Sequence, residues 1–425
     1  MSGPTRTTPH TSSRAAVLDV IRAAGTISRV SLVNATGLTG ATISTVVRGL
    51  IDDDLVRESG RAESTGGKRR VLLQLNPSAR YAVGIHLDHA DITYVVTDLA
   101  GAVVARISRP GAGNAAPEAV VKRMTEEATA LVASAAVDRE RLLGFGLVFP
   151  GPLSAGEGMA ITPPAMRRWA GFPLGGEMRR ATGLPVVLDN DATAAALGEH
   201  WSGGVDLPAT FAALYMGSGI GAGLIVNGIG YRGASGNTGE VGHICLDLDG
   251  PECWCGARGC LEVLAGPAAV VAAARADRRL ARAAGLSRRD HSPGHSVIPD
   301  FTAVSRAARR GDEGAVALLE RSARYVAVAV RNLANITDLE AVVLTGPSFA
   351  IAGPSYLPAV ERELDGTFFA RANHRVGMRL SRAAATAPAI GAAAMVLQSE
   401  LVPLHSGLRL PENLQPSEPP LLPAS

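Results

Sequence analysis

The residues best equipped for chemistry in this 425-residue chain lie in one short stretch. All four cysteines, Cys245, Cys253, Cys255 and Cys260, fall within sixteen positions, just after His243. A Cys-x-Cys-x4-Cys run with a histidine ten residues upstream offers three thiolates and one imidazole. His243, Cys253, Cys255 and Cys260 thus make a complete tetrahedral set for Zn²⁺. Gly256 and Gly259 permit the tight knuckle that brings the thiolates together. A closed four-ligand shell leaves no position for activated water, so the expected metal is structural. Cys245 is surplus and reads as a small buried hydrophobe, although it is placed to compete with His243. The start of the chain, MSGPTRTTPH, lacks the apolar stretch of a secretory signal, and no apolar run matches a membrane span. A cytoplasmic protein is therefore expected, and there clustered cysteines argue for metal rather than disulfides.

A second constellation lies near the N-terminus. After a polar, frayed stretch over residues 1–12, Val17, Leu18 and Ile21 share one helical face, and Gly25 stops that helix. Ser28 can cap a short helix carrying Leu32 and Val33, which ends at Thr36-Gly37. Thr39 can cap a third, in which Ile43, Val46, Val47 and Leu50 form the buried stripe. Two helices joined by so tight a turn make a helix-turn-helix. The stripe leaves Ala41, Ser44, Thr45 and Arg48 facing outward, a set suited to the major groove. Leu55–Glu58 and Val71–Leu75 then read as the two strands of a wing. The loop between them ends in Lys68, Arg69 and Arg70, three cations suited to phosphate or minor-groove contact. Charge agrees: residues 1–77 carry ten Lys/Arg against six Asp/Glu, on a chain whose net charge is only +2.

These features need elements to position them, and the rest of the chain supplies an α/β pattern. Strand-like runs YAVGIHL, ITYVVTDL, LLGFGLVF, LPVVLDN, TFAALYM and LEAVVLTG alternate with helical stretches such as Ala116–Ala136 and Ala315–Ile336. A length of 425 residues with 47% hydrophobic content suits a small domain plus a large one. Asn76-Pro77 marks the boundary, giving a winged helix over 13–77 and a larger domain over 78–405. The stretch from about Ala274 to Ile298 reads as a patternless surface excursion. Residues 406–425, rich in proline, read as a disordered tail. No short internal repeat is evident.

The chain resembles the ROK family, which groups sugar-responsive repressors with sugar kinases. The resemblance is carried by Gly239-Glu240-Val241-Gly242-His243 and the cysteine knuckle, by Leu188-Asp189-Asn190-Asp191-Ala192, and by Phe149-Pro150-Gly151-Pro152. It implies an N-terminal winged helix-turn-helix followed by a two-lobed, ribonuclease-H-like actin/hexokinase fold. It also implies that Asn190, Asp191, Glu240, His243 and Glu262 are sugar-hydroxyl ligands, with His243 using its second ring nitrogen. Asp191 sits where the family's kinases place their general base. The partners implied are a sugar or sugar-phosphate effector and a pseudo-palindromic operator DNA bound by a homodimer or homotetramer.

One stretch departs from the kinases. They carry Asp-x-Gly-Gly-Thr after the first strand of the domain, whereas this chain reads His86-Leu87-Asp88-His89-Ala90. Bulky side chains and an added carboxylate replace a loop that must wrap phosphate. A second glycine-rich turn, Gly217 to Gly223, is present. The expectation is a sugar-sensing repressor without kinase activity, Asp191 being a vestigial base, with an active sugar kinase as the alternative.

Overall fold

The computed structural model describes residues 9–61, 71–154, 158–159, 163–202, 207–286 and 296–401. Contacts divide the chain into two units. The first comprises the chain up to Tyr81, the turn Asp98–Ala102 and the chain from Leu397 onward; the second is Ala82–Thr97 with Val103–Val396.

In the first unit, helix α1 (Pro9–Ala24) precedes strand β1 (Thr26–Ser28), helices α2 (Arg29–Thr36) and α3 (Gly40–Asp52), and strands β2 (Val56–Arg61) and β3 (Val71–Leu75). Helix α1 starts four residues before the position expected from its apolar pattern. Pro9 stands at the first helical position, where its missing N–H is no loss. The caps fall where expected: Ser28 Oγ accepts from the N–H of Ser31 and Thr39 Oγ1 from that of Thr42. Gly37 closes α2 with φ +67°, the left-handed conformation that glycine adopts without strain. The axes of α2 and α3 turn by 116°. Ile43, Val46, Val47 and Leu50 are buried with Val17, Leu18, Ile21 and Leu32, forming a small core. The sheet order is β1-β3-β2, so the wing hairpin gains a third strand that sequence periodicity did not signal. The Pro77 carbonyl accepts from Leu99 N–H at 3.0 Å, which ties the Asp98–Ala102 turn to the linker.

The second unit is built on one pattern used twice. Its elements up to the middle are β4 (Tyr81–Leu87), β5 (Asp91–Asp98), β6 (Val103–Pro110), α4 (Pro117–Ser134), β7 (Leu142–Phe149), the short pair β8 (Leu153–Ser154) and β9 (Gly158–Met159), α5 (Leu174–Thr182), β10 (Val186–Asn190) and α6 (Asp191–Ser202). There follow β11 (Phe211–Met216), β12 (Ile220–Val226), β13 (Ile229–Tyr231), α7 (Leu261–Ala265), α8 (Pro267–Ala276), α9 (Arg278–Ala284), α10 (Ile298–Arg309) and α11 (Glu313–Thr337). The chain ends through β14 (Ala341–Thr345), α12 (Pro347–Thr367), β15 (Gly377–Leu380) and α13 (Ala387–Leu401). The two five-stranded sheets run β10-β7-β4-β5-β6 and β13-β12-β11-β14-β15. Each is a three-strand meander extended on the side of its first strand by two later strands. The repeat lies in topology rather than in residues. Every strand run named from sequence forms a strand. In the first part of the Ala274–Ile298 excursion the chain is regular, since Asp277 caps α9, accepting from the N–H groups of Arg279 and Leu280, while residues 287–295 lie outside the described residues.

Helix α6 is fixed by backbone-to-backbone contact. A Cβ added at Gly391 would lie 1.7 Å from Ala194 O, and one at Gly198 would lie 2.1 Å from Ala387 O, so α6 and α13 cross without side chains between them. On its other face, a Cβ at Gly223 would lie 2.3 Å from Ala192 O. This close packing sets the first residue of α6, Asp191.

Candidate functional site

The site forms where the C-terminal ends of β4, β10 and β11 come together. Asn190 ends β10, and its Oδ1 accepts from the N–H groups of Ala192 (2.8 Å) and Thr193 (3.1 Å), capping α6. Its Nδ2 donates to Gly151 O at 3.3 Å, leaving one amide hydrogen for a ligand. Asp191 is 8% exposed, and its Oδ1 accepts from Ala192 N–H. Its Oδ2 faces His86 Nε2, from the end of β4, at 3.5 Å. Burial is the largest influence on His86 and works against the imidazolium. Asp191, with Asp88 and Asp91, outweighs it, so the pKa is raised. Tyr215, at the end of β11, packs edge-on against His86 with ring centroids 6.0 Å apart. Burial and the charges of Asp191, Asp88 and Asp91 push its phenol well above the ordinary value.

The loop that departs from the kinase motif is closed on itself. Asp88 N–H donates to Asp91 O at 3.0 Å, and His89 N–H donates to Asp88 Oδ1 at 2.6 Å. Ala112 and Gly113 N–H groups occupy the carbonyls of Asp88 and His89. Burial raises the Asp88 pKa above the ordinary carboxylate range, against the lowering pull of His86.

Glu240 and Glu262 approach from the second sheet. Gly239 has φ +90°, and a Cβ there would lie 1.7 Å from Ala222 O, so only glycine lets this strap lie on β12 and present Glu240. Burial, then the charges of Asp191 and Glu262, pushes the Glu240 carboxyl up to about 7. Glu262 opens α7; its Oε2 accepts from Ile220 N–H at 3.1 Å and its Oε1 from Trp254 Nε1 at 2.7 Å. Glu262 thus ties the β11–β12 turn to the knuckle. The second glycine-rich turn serves that packing: Cβ atoms at Gly219 and Gly221 would lie 2.4 Å from Glu262 Oε2 and 2.9 Å from Ala192 Cβ.

His243, Cys253, Cys255 and Cys260 converge, their ligand atoms all within 4.8 Å of one another. Cys253 Sγ lies 3.6 Å from His243 Nδ1, and Cys255 Sγ lies 3.8 Å from Cys260 Sγ. A tetrahedral shell with metal–sulfur bonds of about 2.3 Å has edges of about 3.8 Å, so this donor set fits a metal ion. Nδ1 faces the cluster, which leaves Nε2 available elsewhere. Cys245 stays outside the group and is exposed, not a buried hydrophobe. Its extended segment alternates, so Ile244 and Leu246 pack on the core and the residue between them points outward.

On α3, Ala41, Ser44, Thr45 and Arg48 are all exposed, as the periodicity predicted. Lys68, Arg69 and Arg70 lie outside the described residues. Sequence reasoning missed Tyr215, Trp254 and the pairing of His86 with Asp191. It also missed Asp189, whose Oδ2 accepts from Arg232 Nε (2.9 Å) and Nη2 (2.7 Å) beneath the site. Trp254, set between two cysteines of the knuckle, was the one legible signal among them.

A duplicated sheet with Asn-Asp at the end of its fifth strand, preceded by a winged helix-turn-helix, defines an actin/hexokinase-like domain with a winged-helix head. The comparisons narrow that class: residues 82–399 match the ROK family model, and the chain belongs to the ROK family. It is 28% identical to the xylose repressor of Bacillus subtilis over 371 residues, covering 87% of this chain and 91% of that one. It is 30% identical to the glucokinase of Thermotoga maritima over 264 residues, covering 62% and 81%. The crystal structure of a ROK family transcriptional regulator, a homologue of the Escherichia coli MLC protein, superposes with a TM-score of 0.71 at 24% identity, over 92% and 97% of the two chains.

Proposed function

We propose that this chain is a DNA-binding transcriptional repressor whose kinase-like domain senses a sugar or sugar phosphate and does not phosphorylate it. The observation that carries the reading is the exposed row Ala41, Ser44, Thr45 and Arg48 along the second helix of a capped helix-turn-helix. Small hydroxylated residues with one guanidinium suit a helix seated in the major groove, where Arg48 would read guanine. Lys68, Arg69 and Arg70 would follow the phosphate backbone. The likeness to a repressor over 87% of the chain supports this. Operator DNA would be pseudo-palindromic and bound by a homodimer or homotetramer in the cytoplasm. Among the described residues, no single helix is long and apolar enough to cross a membrane.

In the sensor, Asp191, Glu240 and Glu262 would accept from sugar hydroxyls, while Asn190 Nδ2 and His243 Nε2 would donate to them. Zn²⁺ held by His243, Cys253, Cys255 and Cys260 would act as a structural cross-link. His243 lies in the strap that carries Glu240, and Cys260 immediately precedes the helix of Glu262. Sugar binding alters DNA affinity only to the extent that it favours one of two conformations. Phosphoryl transfer needs phosphates cradled and their charge neutralised. Here the N–H groups of Asp88 and His89 are already bonded within their loop, and the base Asp191 faces His86.

The second reading, an active sugar kinase with a DNA-binding head, draws on Asp191 at the start of α6 and on the 30% identity to a glucokinase. One experiment separates the two. The zinc-loaded protein is assayed for binding to DNA upstream of its own gene, with and without monosaccharides, and for sugar-dependent ATP consumption. DNA binding that a sugar modulates, without ATP turnover, supports the sensor; turnover of ATP at enzymatic rates overturns it.

A further inference from the structure

Cys245 is the one cysteine outside the metal-binding group, and the backbone sets it opposite one that is inside. Leu246 N–H donates to Gly259 O at 2.8 Å, and Leu261 N–H donates to Ile244 O at 2.9 Å. Between these two bonds Cys245 and Cys260 face each other as antiparallel partners. Such a non-hydrogen-bonded pair holds its Cα atoms about 4.5 Å apart, with both side chains on one face. Disulfides span Cα separations of about 4.4 to 6.8 Å, so this register can be bridged without a shift of the backbone pairing. The register is also pinned: a Cβ at Gly259 would lie 1.6 Å from Asp247 O, so only glycine lets the two segments run this close. Accessibility divides the pair. Cys245 is exposed, whereas Cys260 is buried, its sulfur grouped with the ligand atoms of His243, Cys253 and Cys255.

We infer that Cys245 and Cys260 form a reversible disulfide under oxidation, and that this bond takes one sulfur out of the zinc shell. The inference rests on the zinc reading above and adds a modification site to it. The oxidant is a peroxide, and the chemistry is two displacements at single atoms. The exposed Cys245 thiol attacks one peroxide oxygen and the O–O bond breaks. That oxygen stays on sulfur as a sulfenic acid, and the other leaves as water with the thiol proton. The Cys260 sulfur then attacks the Cys245 sulfur, the S–O bond breaks, and the hydroxyl leaves as a second water with a proton from solvent. Two electrons have passed from the two sulfurs to the peroxide, and Cys260 has given up its bond to zinc. The remaining ligands, His243, Cys253 and Cys255, make an incomplete tetrahedral set, so the metal is released. Cys260 immediately precedes α7, which carries Glu262, while His243 lies in the strap of Glu240, so the loss uncouples these two carboxylates. In a reducing compartment such a bond is transient, as suits a redox sensor.

The test treats the full-length, zinc-loaded protein and its Cys245→Ser variant with hydrogen peroxide. Zinc release is read with a chromogenic chelator, and disulfides by mass mapping of unreduced peptides. The wild type should lose zinc about tenfold faster than Cys245→Ser, because the variant lacks the accessible attacking sulfur. It should also yield a Cys245–Cys260 peptide and take zinc back after reduction with dithiothreitol. Equal release from the variant, or a Cys255–Cys260 or Cys253–Cys255 peptide in its place, overturns the inference and leaves zinc binding standing. Oxidation would then enter through a metal-held sulfur. A Cys245–Cys260 peptide from protein that retains its zinc overturns it as well, because Cys260 would then lie outside the shell. Protein that holds no zinc after expression in zinc-supplemented medium removes the zinc reading and the inference together.

Discussion

His86 Nε2 stands 3.5 Å from Asp191 Oδ2, joining the end of β4 to the first residue of α6. The carboxylate that the family resemblance casts as a vestigial base is thereby paired with an imidazole from the end of β4. Breaking such a buried pair costs more than keeping it, because the survivor is left uncompensated.

The first prediction concerns pH. The native His86 pKa is raised, since Asp191, Asp88 and Asp91 outweigh the opposing effect of burial. The native state therefore holds this proton more tightly than the unfolded chain. The resulting stabilisation is fully present below the unfolded histidine pKa of about 6.5 and fades as pH rises through the native value. Urea unfolding across pH 6 to 9 should show this decline, and His86→Gln should flatten it. A variant with the slope of the wild type would mean that His86 is neutral throughout. Asp191→Asn, which strands the imidazole, should cost about 3 kcal/mol near pH 6.

The second concerns the metal. Cys253→Ser, Cys255→Ser or Cys260→Ser should abolish stoichiometric zinc and lower the melting temperature, while Cys245→Ser should leave both unchanged. The contrast follows from the positions: three sulfurs lie in the four-residue group and the fourth is exposed outside it. Metal analysis after purification, together with melting before and after chelation, checks it. Loss of zinc from Cys245→Ser would mean that the shell includes a different sulfur.

Much of this was legible in the residues. The α3 stripe, both helix caps and six strands follow from periodicity and capping chemistry, which act locally. What stayed hidden depends on close approach between distant segments. Gly217 to Gly223 was legible as a glycine-rich turn, but not that Gly219 packs against Glu262 and that Gly221 and Gly223 pack against Ala192. The duplicated sheet leaves no residue repeat, since each strand's face is set by its own neighbours. Helix α12 carries Pro354 and Pro358 in its interior, against local preference, and its buried Phe349, Tyr356 and Val360 hold it to the core. His86 was visible as a substitution, but its partner was not, as 105 residues separate it from Asp191.

The third prediction tests the DNA surface. Arg48 is exposed and lies on the outer face of α3, so Arg48→Ala should leave the melting temperature within about 1 °C. Affinity for the operator should fall by roughly 10- to 100-fold, with relaxed preference at one base pair. Replacing Lys68, Arg69 and Arg70 together by alanine should instead weaken all duplexes alike and reduce the salt dependence of binding. Binding assays on operator and scrambled DNA at several salt concentrations distinguish the two patterns. Equal loss on both DNAs from Arg48→Ala would place that guanidinium on phosphate rather than on a base.

The last prediction turns on Glu240, whose carboxyl is pushed from 4.5 up to about 7 by burial and by the charges of Asp191 and Glu262. Here the sign is opposite to the usual carboxylate. The unfolded chain releases this proton near 4.5 while the native state keeps it, so stability falls as pH rises between 4.5 and about 7. Above that window the folded protein carries a buried charge repelled by two others, a penalty of at most about 3 kcal/mol. Glu240→Gln removes the charge and keeps the shape. It should match the wild type near pH 5 and exceed it in stability at pH 8, as read from denaturant midpoints. Sugar affinity at pH 8 should move the other way, falling about tenfold as a charge-assisted acceptor is replaced by a neutral one. A variant that gained stability without losing sugar affinity would show that Glu240 borders the site without touching the ligand. One that lost stability at pH 8 would show that the ionised carboxylate has a partner in the folded chain.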